Sequence, residues 1–348
     1  MSTNNIVHVK PSQALQGLKI GMELREPILL VGAPGVGKSD LGYQAAREMN
    51  FDMILSHPVV SDPTDAKGLP WPDAKAGVAK FLPFGDLHKA LNATRPTVWF
   101  LDDLGQATNA VQAAFMQLLL AREIAGHKLP DCVTFIAATN RRADRAGVGG
   151  ILEPVKSRFL SILHLEADLD EWFEWAYTHN IHPLVIAFLR LRTELLHKFA
   201  PSAEIVNYPC PRTWGKASKM MNSHLLTPEM ALPMFAGCLG VEAATEFVAF
   251  VKICEDIPMP EAVLTAPMQT HLPENISVQY ALSTALADIV SEATFPSLVT
   301  YANRMRDELQ ATEMAVTMLK DACKRHPELK QTTTYVELIT SPLGQQMA

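Results

Sequence analysis

The chain has 348 residues, 48% of them hydrophobic and 19% charged, which allows a buried core and excludes a disordered chain. With 30 Lys and Arg against 37 Asp and Glu, the net charge is -7, so no global basic field is available to hold nucleic acid; only a local basic loop could do so. At roughly 100–200 residues per domain the length suggests two domains or one large one, and 24 prolines with 18 glycines exclude collagen-like and low-complexity classes.

Three textures follow one another along the chain. Residues 1–165 alternate short β-branched runs with helical stretches, the pattern of an α/β domain with a parallel sheet. Strands are expected at Pro27–Val31, Met53–His57, Thr97–Asp102, Val133–Thr139 and Phe159–Leu165, giving a five-stranded parallel sheet. Helices are expected at Lys38–Met49, Gly85–Asn92, Asn109–Ala121 and Leu152–Ser157. Lys67–Phe84 contains Gly68, Pro70, Pro72, Gly77 and Pro83, so it reads as a hairpin or loop insertion. A shorter turn sits at Ala125–Lys128. Residues 166–225 and 226–348 read as helical, the latter broken by joints near Pro258, Pro260, Pro273 and Pro296. Asp168–Trp175 starts one of these helices with acidic residues, which the helix dipole favours.

Cys132, Cys210, Cys238, Cys254 and Cys323 form no C-x-x-C pair, which fits a reducing compartment better than a disulfide framework. Met1–Lys10 is polar, and the longest apolar runs, Ile28–Val31 and Val98–Leu101, are strand-sized. A soluble cytoplasmic protein with no membrane contact is therefore expected.

The strongest chemical signal is Gly32-Ala33-Pro34-Gly35-Val36-Gly37-Lys38-Ser39, a complete G-x-x-x-x-G-K-S after an apolar strand and before a helix. Glycines let the backbone curl so that several N–H groups face one anion, and the helix start adds positive potential. Lys38 is suited to the β- and γ-phosphates of a nucleotide, and the Ser39 hydroxyl to Mg²⁺. With Asp40 in the first helical turn, these nine residues are the expected ATP-binding set. The strand Thr97–Leu101 ends in Asp102 and Asp103, and an acidic pair at the end of a neighbouring strand is the second half such a site needs. Asp102 is suited to hold Mg²⁺ through water, and Asp103 to polarise an attacking water. Asn140 ends the strand Val133–Thr139 and can hydrogen-bond the γ-phosphate and orient water.

Phosphate loop, acidic strand, Asn-tipped strand, Ser157-Arg158-Phe159 and Pro211-Arg212-Thr213 together form an ordered set over residues 11–225. The set resembles the AAA+ ATPases, most closely their MoxR-type branch. The resemblance implies Walker A, Walker B and sensor 1 for the first three elements. It also implies that Arg158 is an arginine finger entering a neighbour's site, and that Arg212 is a sensor 2 residue touching the γ-phosphate from a helical lid spanning 166–225. A planar guanidinium fork suits either task in a way that Lys does not. A surface salt bridge is the plainer reading of Arg158. Arg141, Arg142 and Arg145 follow Asn140 and read as a solvated basic loop.

From the same resemblance follow a Mg²⁺-dependent ATPase, a ring of identical subunits (six in most relatives), a client protein to be remodelled, and a partner with a von Willebrand factor A (VWA) domain. Lys67–Phe84 and Glu123–Asp131 take the places of the family's two inserts, with Trp71, Phe81, Phe84 and His127 as tip residues that grip the client; packing of these aromatics onto their own domain is the plainer alternative. The sequence departs from the family at Asp103, where most relatives carry Glu. The shorter carboxylate implies slow or partner-dependent hydrolysis, and Asp103→Glu should then raise turnover. A nucleic-acid motor on the same core and a non-hydrolysing assembly switch are the alternatives; the net charge argues against the first. His179 and His182 lack metal-ligand spacing and read as ordinary surface or capping residues.

Overall fold

A computed structural model describes residues 6–75, 77–144, 149–199, 202 and 204–347. Arg145, one of the three arginines after Asn140, lies outside them. The described residues form two compact units. One runs to Asp168 and takes in Phe199 and Ser202; the other holds Leu169–Lys198 and residues 204–347.

The first unit contains, in order, β1 (His8–Val9), α1 (Pro11–Leu24), β2 (Ile28–Gly32), α2 (Lys38–Glu48), β3 (Asp52–Ser56), α3 (Pro63–Lys67), β4 (Leu69–Asp73), β5 (Val78–Leu82), α4 (Gly85–Leu91), β6 (Thr97–Leu101), α5 (Asn109–Ala121), β7 (Glu123–Ile124), β8 (His127–Lys128), β9 (Val133–Thr139), α6 (Glu153–Lys156) and β10 (Ser161–Leu165). Six of the strands make one parallel sheet in the order β1-β10-β2-β9-β6-β3. The sheet thus has six strands where the sequence predicts five. The extra strand is β1, whose His8 and Val9 pair with His164 and Leu165. Two residues are too few to carry a periodic hydrophobic pattern.

Side chains alternate across the sheet and build two cores. Ile28 and Leu30 of β2, Val98 and Phe100 of β6, and Ile136 and Ala138 of β9 meet Leu18 of α1 and Leu41 of α2 on one face. On the other face Leu29, Trp99, Leu101, Phe135 and Ala137 meet Leu87 of α4 and Val111, Phe115 and Leu118 of α5. Helices therefore cover both faces, so β6 and β9 are buried along their whole length and read as unbroken apolar runs. α1 is not among the expected helices. Its buried Ala14, Leu18, Gly21 and Met22 recur at i, i+4, i+7 and i+8, a single helical face. Both expected insertions are hairpins, β4–β5 and β7–β8.

The second unit is helical: α7 (Leu169–Thr178), α8 (Pro183–Leu191), α9 (Pro211–Met221), α10 (Pro228–Leu239), α11 (Val241–Ile253), α12 (Pro260–Thr265), α13 (Ile276–Ile289), α14 (Phe295–Leu309), α15 (Thr312–Arg325) and α16 (Thr333–Thr340). Prolines stand in the first turn of α8, α9, α10, α12 and α14, where the missing N–H leaves no bond unmade. Pro233 is interior to α10. Phe188, Trp214, Phe235 and Phe247 pack edge-on or tilted around one another, with centroids 5.1–5.6 Å apart. Leu282, Phe295, Leu298, Tyr301 and Leu319 centre a further core among α12–α16. Among the described residues no helix is long and apolar enough to cross a membrane.

Candidate active site

Three strand ends carry the predicted residues. β2 runs into the glycine-rich loop, where Gly35 (φ 77°) and Gly37 (φ 101°) take left-handed backbone conformations. Open space surrounds a Cβ built at Gly37, so this position demands glycine for its dihedral and not for room. Gly37 is the N-cap of α2, which aims the helix start at the loop. Lys38 is buried; its Nζ donates to Gly32 O (2.9 Å), Ala33 O (3.0 Å) and Asn140 Oδ1 (2.7 Å). Asp40 stands exposed in the first turn of α2, and no site side chain among the described residues bonds to it.

The sequence puts the acidic strand beside the phosphate-loop strand. Instead, the Asn-tipped β9 lies between them, pairing with β2 on one side and β6 on the other. Parallel pairing keeps the three C-terminal ends together, so Asn140 becomes the bridge across the site. Ser39 Oγ donates to Asp102 Oδ2 at 2.7 Å, which brings the two expected metal ligands side by side. Asp102 is buried; its Oδ1 accepts from the Asp103 amide at 3.1 Å. Asp103 takes φ 59°, ψ 33° at the start of a single 3-10 turn, Leu104–Gln106. Its Oδ1 accepts from Gln106 Nε2 (2.7 Å) and, at the limit of bonding distance, from Asn140 Nδ2 (3.5 Å).

Gln106 is the site residue that the sequence reading misses. The signal for it is its i, i+3 spacing from Asp103 on a turn that Gly105 lets close. A Cβ at Gly105 would lie 2.2 Å from Thr139 Oγ1, so only glycine lets this turn press against the Asn-tipped strand.

Arg158 follows α6. Its Nη1 donates to Ser157 Oγ (3.3 Å), and among the described residues its buried Nε has no protein partner and no carboxylate pairs with it. The plainer salt-bridge reading therefore has no partner for Arg158 there. Arg141 is spent on Asp144, with Nε–Oδ2 at 3.1 Å. Arg212 is exposed in the first turn of α9, in the second unit. His182 caps α8 through Nδ1, which accepts from Leu184 N (3.2 Å), and His179 stacks on Trp175 at 4.5 Å.

Of the expected tip residues, Trp71 is 62% and Phe81 39% exposed. Phe84 is half-buried at the start of α4, away from the hairpin tip. His127 is also half-buried, and its Nε2 lies 2.8 Å from Phe81 O, joining the two hairpins.

Residues 28–167 match the family model described as "ATPase family associated with various cellular activities (AAA)". These residues form an AAA ATPase domain. No curated protein matches the sequence. Among solved structures the chain is similar to the Thermotoga maritima RuvB Holliday junction branch migration motor, with 19% identity, a TM-score of 0.38, and coverage of 84% of this chain and 85% of that one. It is also similar to NtrX from Brucella abortus in complex with ATP, with 12% identity, a TM-score of 0.42, and coverage of 92% and 67%. Likenesses at this level bear on neither activity nor partner.

The enzyme class is ATPase, with ATP as substrate and Mg²⁺ as cofactor. The residues of the AAA domain fit both. A buried ammonium, loop amides and a helix start make a donor set for a polyphosphate, and the Ser39 hydroxyl with the Asp102 carboxylate offers hard oxygen ligands to a small divalent cation.

Proposed function

We propose that this chain is a MoxR-type AAA+ ATPase that hydrolyses ATP in a ring of identical subunits, six in expectation, and uses the cycle to remodel or activate a client protein together with a VWA-domain partner. One observation carries the catalytic part of the reading. Lys38, Asn140 and Asp103 form a hydrogen-bonded line across three parallel strand ends, with Ser39 and Asp102 beside it.

In this reading Lys38 exchanges neutral carbonyl partners for phosphate oxygens, a stronger charge-assisted pairing. Asp103 and Asn140 hold the attacking water. Its oxygen bonds to the γ-phosphorus as the bond to the β–γ bridging oxygen breaks, and its proton passes to Asp103. Ser39 and Asp102 would hold Mg²⁺, which when bound would supply neutralising charge for the phosphate oxygens. Arg158 arrives from the adjacent copy, and Arg212 senses the γ-phosphate within its own subunit.

The client reading rests on the exposed β4–β5 hairpin, which offers Leu69, Trp71, Val78 and Leu82 to solvent. The cytoplasm is the proposed compartment. The shortened carboxylate at Asp103 keeps a second reading open, an assembly switch that binds ATP without turnover.

Asp103→Asn tests the hydrolytic reading. Nucleotide affinity should stay within about two-fold, while phosphate release falls by about 100-fold or more, the usual scale for general-base assistance. Unchanged phosphate release would remove Asp103 from the reaction. Tight ATP binding by the assembled wild-type protein, with no phosphate release, would select the switch.

A further inference from the structure

We propose that Gln106 is a positioning residue for hydrolysis, holding the Asp103 carboxylate in the orientation from which it acts on water. The inference rests on the reading of Asp103 given above and adds a residue to it.

Three observations carry it. The first is contact: Gln106 Nε2 donates to Asp103 Oδ1 at 2.7 Å, much the shorter of the two side-chain bonds to that carboxylate. With Oδ1 occupied in this way, Oδ2 is the oxygen left for a water. The second is rigidity. Gln106 closes the turn that starts at Asp103, through its amide to Asp103 O (3.0 Å). Gly105, in the middle of the turn, lies so close to Thr139 Oγ1 that no side chain fits between them. The turn is thus pressed against the strand that ends in Asn140, whose Oδ1 accepts from Lys38.

The third is economy of bonding. Among the described residues the buried Gln106 Oε1 has no protein partner. Buried amides that only knit a fold are normally satisfied at both ends. This one spends its donor on Asp103 and leaves its acceptor unpaired, and flipping the amide would set two acceptors against each other. Among the described residues the side chain's one hydrogen bond is therefore the one to Asp103. It also answers the short carboxylate. An aspartate at this position reaches less far than a glutamate and swings on fewer bonds, so one clamp on Oδ1 fixes the whole group.

The test uses the full chain with Mg²⁺ and ATP. It compares Gln106→Ala, Gln106→Glu and Gln106→Lys by kcat, KM for ATP, the dissociation constant of a fluorescent ADP, and Tm. Alanine and glutamate remove the donor, and glutamate also sets a negative charge against Asp103. Both should lower kcat by about 10-fold or more, the scale of one lost hydrogen bond to a charged group, with KM and ADP affinity within about two-fold. Lysine restores a donor of similar reach and should keep more activity than glutamate. A kcat within two-fold of wild type in both donor-less variants overturns the proposal. So does a loss of ADP affinity parallel to the loss of kcat, or a glutamate variant as active as the lysine one. Should the alanine variant not fold, the glutamate–lysine pair decides alone. Asp103→Ala separates the two levels. If it hydrolyses ATP at the wild-type rate, the reading of Asp103 falls and Gln106 with it. If it is inactive while Gln106→Glu is normal, only the role of Gln106 falls.

Discussion

A left-handed backbone at Asp103 is tolerable because an aspartate, unlike most residues, enters that region at modest cost. It turns the chain sharply off β6, so Asp102 and Asp103 face different partners, Ser39 and the Gln106–Asn140 pair. Local conformation and chemistry coincide there, and a motif alone shows only the chemistry. His182 makes a comparable point away from the site. Burial pushes its imidazole below the usual value of 6.5, while the nearby Asp288 acts against this more weakly. The unfolded chain then binds the proton more readily than the folded one, so stability falls as pH drops through 6.5 toward the lowered folded value. Protonation would also cost α8 its cap, since Nδ1 accepts from Leu184 N only while it is unprotonated. Asparagine keeps an acceptor and does not titrate. Between about pH 7.5 and about pH 5, the urea midpoint of His182→Asn should therefore fall less than that of the wild type. Midpoints that decline in parallel would show that this imidazole carries none of the dependence.

At the scale of elements, much of the first unit is legible in the sequence. The strands β2, β6 and β9 announce themselves as apolar runs with chemistry at their ends, the β4–β5 hairpin follows from clustered Gly and Pro, and β7–β8 from a short turn at Ala125–Lys128 read with the family resemblance. Strand order is not legible, because a parallel strand's neighbour is chosen by crossover connections and not by local pattern. That is why β9 comes between the loop and the acidic strand unannounced. The roles of Gln106 and His127 are hidden for a related reason, since each acts through one contact that only the folded turn creates. The β4–β5 hairpin shows the opposite case, where pattern and structure agree on exposure. Trp71 sits opposite Lys80, and the ion pair of Lys80 with Asp73 (2.7 Å) braces the ribbon from the same two strands. An aromatic residue held out on a braced ribbon costs solvation that packing does not recover. Trp71→Ser should therefore leave Tm and nucleotide affinity unchanged while cutting client-stimulated ATPase activity by about 10-fold, the scale of a lost aromatic anchor. A fall in Tm of several degrees would instead show that Trp71 packs the domain. Measuring both separates the two roles.

For the whole molecule the decisive question is whether one chain is a complete enzyme. Every proposed catalytic group of the AAA domain except Arg158 bonds to another member of the site. Arg158 has no carboxylate partner among the described residues, and its Nη1 bonds only to the neighbouring Ser157 Oγ. A finger that serves a neighbour fits this lack of a carboxylate, because the guanidinium's acceptor would belong to a nucleotide in the next subunit. Such a contact is head-to-tail, and closing it makes a ring. Complementation by mixing tests this directly. Asp103→Asn subunits lack the group that acts on water but keep the finger; Arg158→Ala subunits lack the finger but keep that group. Neither alone should turn over at more than about one-hundredth of the wild-type rate. In mixed rings, an Asp103→Asn subunit can lend its Arg158 to an Arg158→Ala neighbour, and each such junction regains a working site. Random assembly at equal ratio makes about a quarter of the junctions productive, so mixed rings should recover up to about a quarter of the wild-type rate. Native mass spectrometry would confirm that both subunits share a ring. Mixed rings with no recovery would return Arg158 to its own subunit and take away the reason for a ring.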